Sequence, residues 1–194
     1  PEEDSGTEET PRVSVVIPTL NGGDLFQSVL DRILGQELDA SFEVIVIDSG
    51  STDGTLRRLR QRPRVRLVEI PQSEFNHGLT RQKGVELARG DFVCFLTQDA
   101  VPADSHLLST FMGHLDDPAV AGVQARQRPR SDCNPFQRER LRGWADSDAV
   151  ERRRLDRPED WEDLSPRERY ALSAYDHVAA MSRRRDLLLR PLEA

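Results

Sequence analysis

Lysine is almost missing from this sequence: Lys83 is the only one among 27 basic residues, and arginine supplies the rest. Cysteine is scarce too. Cys94 sits in an apolar run and Cys133 in a polar one, too isolated for a zinc site or a disulfide framework, so one core thiol and one surface thiol are expected. Aromatic residues make up 6% of the chain, which argues against a pure all-β sandwich and leaves the core to Val, Leu, Ile and Ala. No apolar run approaches the length of a membrane span, the longest being of the kind Val44 to Ile47, and no signal peptide is visible. A soluble, cytoplasmic protein is the expectation. Excess positive charge is also lacking: at a net charge of -7 neither nucleic acid nor anionic lipid is the default partner, and any anion has to be bound locally.

A chain of 194 residues suffices for one well-buried domain with an appended smaller region. It begins at Pro1 without an initiator methionine, and residues 1–11 are acidic and polar, reading as a disordered lead-in to a piece of something longer. Arginines cluster after Arg126, but Asp and Glu are interspersed among them, the pattern of a solvated mixed-charge surface.

From Val13 the sequence alternates strand and helix patterns. Val13 to Ile17 is a β-branched run halted at Pro18 and followed by a loop through Asn21, Gly22 and Gly23. Leu25, Phe26, Val29, Leu30, Ile33 and Leu34 then recur at helical spacing. Val44 to Ile47 predicts a strand covered on both faces, with Asp48 at its end and a turn whose Thr52 or Asp53 caps a second helix. Strands at Val65 to Ile70 and Phe92 to Leu96 bracket a helix over Leu79 to Ala88, and a helix over about Asp104 to His114 leads to a fifth strand over about Val120 to Gln127. This alternation calls for a mostly parallel, Rossmann-like α/β sheet flanked by helices. After Pro129 it fades into arginine-rich helical pieces, 136–144 and 166–175.

In open α/β sheets ligands bind beyond the carboxyl ends of the strands. The residues there are Thr19 and Asn21, Asp48 and Ser49, Asn76 and His77, and Gln98 and Asp99. A lone Asp after a strand is commonly a turn residue. Two on one rim, with Asp99 at the mouth of an apolar strand, could hold a hard cation. Neither GxGxxG nor GxxxxGK[ST] occurs, so phosphate recognition needs another device, and a divalent metal bridging Asp99 to a diphosphate would serve.

The runs Val15-Val16-Ile17-Pro18-Thr19-Leu20-Asn21, Val46-Ile47-Asp48-Ser49-Gly50-Ser51-Thr52-Asp53-Gly54-Thr55 and Phe95-Leu96-Thr97-Gln98-Asp99-Ala100 resemble, in order and spacing, the donor-site segments of family 2 glycosyltransferases of the GT-A type. The segment from Phe75-Asn76-His77-Gly78 through Arg81 to Ala88-Arg89-Gly90 is similar to the rhamnosyltransferase-like branch, and the likeness spans roughly Arg12 to Arg185. It implies a GT-A fold, with a nucleotide-sugar-binding domain over 12–129 and part of an acceptor-side helical region over 130–194. It further implies a donor site of Pro18, Thr19, Asn21, Asp48, Ser49, His77, Arg81, Gln98 and Asp99. In that site Thr19 and Asp48 line the base and ribose pocket, Asp99 ligates Mg2+ or Mn2+ on the diphosphate, and Arg81 lies near the phosphates. His77 is balanced between a donor contact and a structural hydrogen bond.

The implied reaction is an inverting, metal-assisted transfer from a nucleoside-diphosphate sugar, dTDP-rhamnose by branch, to a glycan or lipid-linked acceptor that would bring the enzyme peripherally to a membrane. Two departures qualify it. Thr97 stands where the family's metal motif has its first aspartate, and the catalytic base belongs to a Glu-Asp segment downstream of the piece resembling Tyr175 to Arg184, after which only ten residues remain. The base is therefore expected outside these residues. The acidic cluster Glu159, Asp160, Glu162 and Asp163 reads as a solvated loop, and Trp144 and Trp161 as packing anchors. A different class stays open, a non-catalytic nucleotide-sugar-binding module. A nucleotidyltransferase is disfavoured because Asn21-Gly22-Gly23 is too sparse for its phosphate loop.

Overall fold

The computed structural model describes residues 10–136, 138, 139, 141, 165 and 179–188. The expected lead-in except Thr10 and Pro11, most of both arginine-rich helical pieces, the acidic cluster, both tryptophans and Tyr175 to Val178 lie outside the described residues. The described chain forms two compact units, one running to Val123 and resuming with 179–188, the other beginning at Gln124. In the second, Arg130 forks onto the Asp132 carboxylate and holds it below the usual carboxylate range.

The first unit begins with β1 (Val13–Thr19), α1 (Gly23–Leu34), β2 (Phe42–Asp48), α2 (Thr55–Leu59) and β3 (Val65–Glu69). It continues with α3 (His77–Leu87), β4 (Phe92–Leu96), α4 (Leu107–Leu115), β5 (Gly122–Gln124), β6 (Ala179–Arg183) and α5 (Arg184–Leu188). The sheet order is β3-β2-β1-β4-β6-β5, with β1, β2, β3 and β4 parallel and β6 antiparallel to β4. β1 lies inside the sheet between helical layers, so Val13, Val15, Val16 and Ile17 are all fully buried, as a two-sided strand requires. On one face Val16, Ile45, Ile47 and Val93 pack with Val85 and Ala88 at the end of α3 and with Leu187 of α5. Gly84 makes that approach close: a Cβ there would stand 2.3 Å from Val16 Cγ1.

Three local differences from the sequence reading have physical causes. α2 starts after Gly54 at φ 90°, not at Thr52 or Asp53, because the turn needs a left-handed residue, although Asp53 still accepts the Thr55 amide at 3.0 Å. The fifth strand is only Gly122–Gln124, since the carbonyl of Val120 is taken by the Arg183 guanidinium at 2.5 Å. β6 carries no strand pattern in the sequence, Ala-Ala-Met-Ser-Arg having little β propensity; its register opposite β4, Leu96 to Ala179, supplies the pairing.

The carboxy-terminal arginines also depart from a purely solvated role. Arg183 gives hydrogen bonds to the carbonyls of Leu115 (2.6 Å) and Asp117 (3.0 Å) as well as Val120, closing the C-terminus of α4. Arg184 does the same for α3, at the carbonyls of Val85 (3.0 Å) and Glu86 (3.4 Å).

Candidate functional site

The strand order runs outward from β1 to β2 and β3, then returns to place β4 on the other side of β1, so the topological switch lies between β1 and β4. Such a switch opens a crevice beyond the carboxyl ends of the two strands. Here the crevice is widened by Pro18, which has no N–H to give: β1 pairs with β2 as far as Thr19 but with β4 only as far as Val16.

Gln98 bridges this gap. Its Oε1 accepts from the Thr19 hydroxyl (2.8 Å) and the Leu20 amide (2.9 Å), while its Nε2 donates to the Leu20 carbonyl (3.2 Å). The side-chain amide thus continues, for one residue, the ladder that the backbone has abandoned.

The loop after β2 is tied to the same place. Ser49 donates its amide (3.0 Å) and hydroxyl (3.1 Å) to the Thr19 carbonyl. The Asp48 carboxylate, fully buried, accepts from the amides of Gly50 (2.9 Å) and Ser51 (2.8 Å) and from the Ser51 hydroxyl (2.5 Å). Ser51 Oγ in turn accepts the Asn21 amide at 2.8 Å, and Asn21 Oδ1 accepts the Thr52 amide at 2.8 Å. Asn21 adopts φ 49°, a conformation asparagine tolerates better than most residues. Asp53 completes the weave by accepting the Gly23 amide (3.0 Å), and its bonds with Thr55 and Gly23 hold it below the usual carboxylate range.

Thr19, Asn21, Asp48, Ser49 and Gln98 are therefore brought together and mutually satisfied. Ser51 and Asp53 are structural members of the site that the sequence reading did not single out; the Asp-x-x-Ser spacing of Asp48 and Ser51, which suits a side-chain-capped turn, was the available signal.

Four side chains are left open. Asp99 is exposed and accepts no hydrogen bond from any described residue. The Thr97 hydroxyl is buried without a partner, and so is Arg81 Nε. Arg81 lies on the first turns of α3, which leaves the loop following β3 and so starts at this same rim; among the described residues its one hydrogen bond is to the His77 carbonyl at 3.1 Å. Burial lowers its pKa from the ordinary arginine value, as expected for a cation short of an anion. His77 packs edge-on against Phe75, 4.9 Å between centroids, and its imidazole makes no hydrogen bond with the described residues. The turn it begins is capped instead by Asn76, whose Oδ1 accepts the amides of Gly78 (2.9 Å) and Leu79 (3.1 Å).

The family model of glycosyl transferase family 2 matches residues 14–189. The chain belongs to that family. Its relatives include two O-antigen chain rhamnosyltransferases, RfbN of Salmonella typhimurium, 38% identical over 64% of this chain, and WbaN of Salmonella anatum, 36% identical over 65%. In each case the match spans 40% of the relative's length. A mannosyltransferase of Pyrobaculum calidifontis, solved in complex with GDP-Man and Mn2+, is 32% identical and aligns with a TM-score of 0.53 over 64% of this chain and 38% of its own. At 21% identity, glucosyl-3-phosphoglycerate synthase from Mycobacterium tuberculosis shares the fold with a TM-score of 0.58, over 90% of this chain and 57% of its own. The fold of this family 2 chain is thus the GT-A fold.

Among the described residues no group of three or more His, Cys, Asp or Glu side chains converges as a metal cage. The open Asp99 carboxylate nevertheless suits a hard cation of the kind that binds through one or two carboxylates and takes its other ligands from substrate phosphates and water. No described helix is long and apolar enough to cross a membrane.

Proposed function

We propose that this chain carries the donor half of a metal-assisted, inverting glycosyltransferase. It would take a sugar, rhamnose by its relatives, from a nucleoside diphosphate, dTDP by branch, and deliver it to a glycan or lipid-linked hydroxyl. The observation that carries the reading is the division of labour on the rim: Thr19, Asn21, Asp48, Ser49 and Gln98 are tied to one another, whereas the two charged groups Asp99 and the half-buried Arg81 are held there with no counter-charge among the described residues. A diphosphate supplies what both lack, directly to Arg81 and through a divalent cation to Asp99. When bound, Mg2+ or Mn2+ would neutralise charge on the departing diphosphate.

In the reaction the acceptor hydroxyl gives its proton to a base other than Asp48, Asp53 and Asp99, and its oxygen forms a bond to the anomeric carbon while the bond from that carbon to the diphosphate breaks, the electron pair leaving with the diphosphate. Arg81 stabilises that charge from a partly desolvated position, where a guanidinium acts more strongly than in water. Thr19 and Asp48 line the base and ribose pocket, Asp48 through the lone pairs its loop does not use. Pro18, Asn21, Ser49 and Gln98 shape the pocket, and His77 stands at its edge.

A second reading, donor binding without turnover, rests on a specific observation. Of the rim carboxylates Asp48, Asp53 and Asp99, two are committed to loop amides and the third is assigned to the metal, leaving no base among them. Thermal-shift titration with the diphosphates of uridine, guanosine and deoxythymidine, with and without Mn2+, tests the site, since a ligand of the folded state raises the melting temperature by mass action. A metal-dependent shift, greatest with the deoxythymidine compound and lost in Asp99→Asn, is expected. No shift with any of them would refute the site, and a shift without product in the presence of acceptor would favour the binding module.

A further inference from the structure

At the end of the sheet opposite the rim, where β2 and β3 begin, a groove of about 280 Å³ is lined by Leu34, Phe42, Glu43, Arg64, Arg66 and Arg89 among others. Most arginines of the neighbouring elements have a carboxylate. Arg58, Arg60 and Arg62 meet Asp24 (2.5 Å), Glu69 (2.7 Å) and Asp31 (2.6 Å). Arg89 meets Glu43 Oε2 at 3.3 Å, and Glu43 Oε1 accepts the Ser14 hydroxyl and the Arg89 amide, both at 2.7 Å. The Glu43 charge is spent on those partners.

Arg64 and Arg66 differ. No carboxylate among the described residues pairs with either, and each gives one hydrogen bond to a backbone carbonyl, Leu34 at 3.2 Å and Leu87 at 2.9 Å. Arg64 also lies over the Phe42 ring, 5.9 Å from its centroid. Both side chains line the groove, Arg64 held against the end of α1 and Phe42, and Arg66 against the end of α3, and most of their N–H groups have no acceptor among the described residues.

We propose that the groove binds a phosphate-bearing anion between Arg64 and Arg66, as a site separate from the donor rim. Guanidinium forks match phosphate oxygens in pairs, and anchoring reduces the entropy lost on binding. The volume suits a phosphate, a diphosphate or a phospholipid headgroup better than a whole nucleotide sugar. Separation follows from strand length: Phe42 and Asp48 stand at opposite ends of β2, roughly 20 Å apart at the strand rise, beyond the reach of one small anion.

The test is calorimetric titration of inorganic pyrophosphate, without metal, into the Arg81→Ala chain, so that the rim lacks both its cation and its open guanidinium. Adding Arg64→Gln and Arg66→Gln should weaken binding at least about tenfold, two charge-assisted contacts being lost. Adding Arg58→Gln and Arg60→Gln instead removes the same charge from arginines already paired, and should change binding less than about twofold. Arg66→Gln alone, which keeps the Phe42 contact, should still cost about threefold if the double variant fails to fold. Sedimentation with phosphatidylglycerol vesicles, against phosphatidylcholine, distinguishes the source. Groove-dependent binding of pyrophosphate assigns a soluble anion, and groove-dependent binding of phosphatidylglycerol vesicles alone assigns a headgroup. Binding of neither, or equal losses in the two double variants, overturns the proposal.

Discussion

Replacing Gln98 with leucine keeps the side-chain volume near its present value and removes the amide that joins the β1 and β4 loops. Three hydrogen bonds disappear, from the Thr19 hydroxyl, from the Leu20 amide and to the Leu20 carbonyl. Thr19 is only 3% exposed, so water can replace little of what its hydroxyl loses. At about 1 kcal/mol net for each bond, and somewhat more for a donor left buried, the variant should lose about 3 kcal/mol of stability. In a chain of this size each kcal/mol moves the melting temperature by roughly 2–4 °C, so circular dichroism should record a fall of about 6–12 °C. Gln98→Glu separates shape from chemistry. A glutamate can still accept from Thr19 and Leu20 but places an oxygen against the Leu20 carbonyl, so it should rescue the melting temperature only in part. If Gln98→Leu melts within about 2 °C of the parent, the two loops are ordered without the amide and the account of the crevice is wrong.

Gly84→Ala should lower the melting temperature by a few degrees despite alanine's better helix propensity, because the added methyl meets Val16 Cγ1 at 2.3 Å, and overpacking of this kind costs about 1–3 kcal/mol. The double variant with Val16→Ala should recover part of the loss. Arg183→Ala should cost about 2–4 kcal/mol in denaturant titration by stripping three carbonyls at the end of α4, and Arg183→Lys should recover less than half, since an ammonium cannot span them. Burial pushes the Cys94 thiol up to about 12 from 9.0. The folded chain then holds a proton that the unfolded chain releases, so this contribution is intact below about pH 9 and is lost as pH rises toward 12, at about 1.4 kcal/mol per pH unit. Cys94→Val should remove that slope, as measured by melts at stepped pH.

The strands were legible wherever burial was written in composition. Val13 to Ile17, with Ser14 its one polar member, Val44 to Ile47 and Phe92 to Leu96 are apolar without strict alternation because helices cover both faces of the sheet, and each forms a strand within a residue or two of its expected ends. β6 was not legible for the converse reason: Ala179, Ala180 and Met181 are buried by pairing with β4, a long-range relation that no local pattern carries. On the rim, sequence order named the residues that gather there but not what they do to one another. Nothing in the identities of Thr19 and Gln98 announces a bond between loops 79 positions apart. Nor does the sequence distinguish Asp48, held by three hydrogen bonds within its own turn, from Asp99, which accepts none from the described residues, although both follow a strand.

The shortage of lysine takes on a structural meaning from these contacts. Arg183 reaches three carbonyls, Arg184 two, and Arg64 and Arg66 one each, in a chain whose net charge is already -7. If basic residues served only to offset acidic ones, an ammonium would do as well as a guanidinium, and the 27 basic positions would be expected to mix the two. An ammonium, however, is a strongly hydrated point charge with no planar fork, and it does not bridge separated carbonyls as Arg183 does, nor donate to a carbonyl from over a ring as Arg64 does at Leu34 and Phe42. Arginine is the side chain that can end a helix and present further donors outward at the same time. Arg81 applies the same property at the rim, with one N–H on the His77 carbonyl and Nε buried without a partner. The arginine pattern and the donor-site proposal therefore rest on one physical feature, a guanidinium fixed by the backbone of its own fold and left with donors to spare.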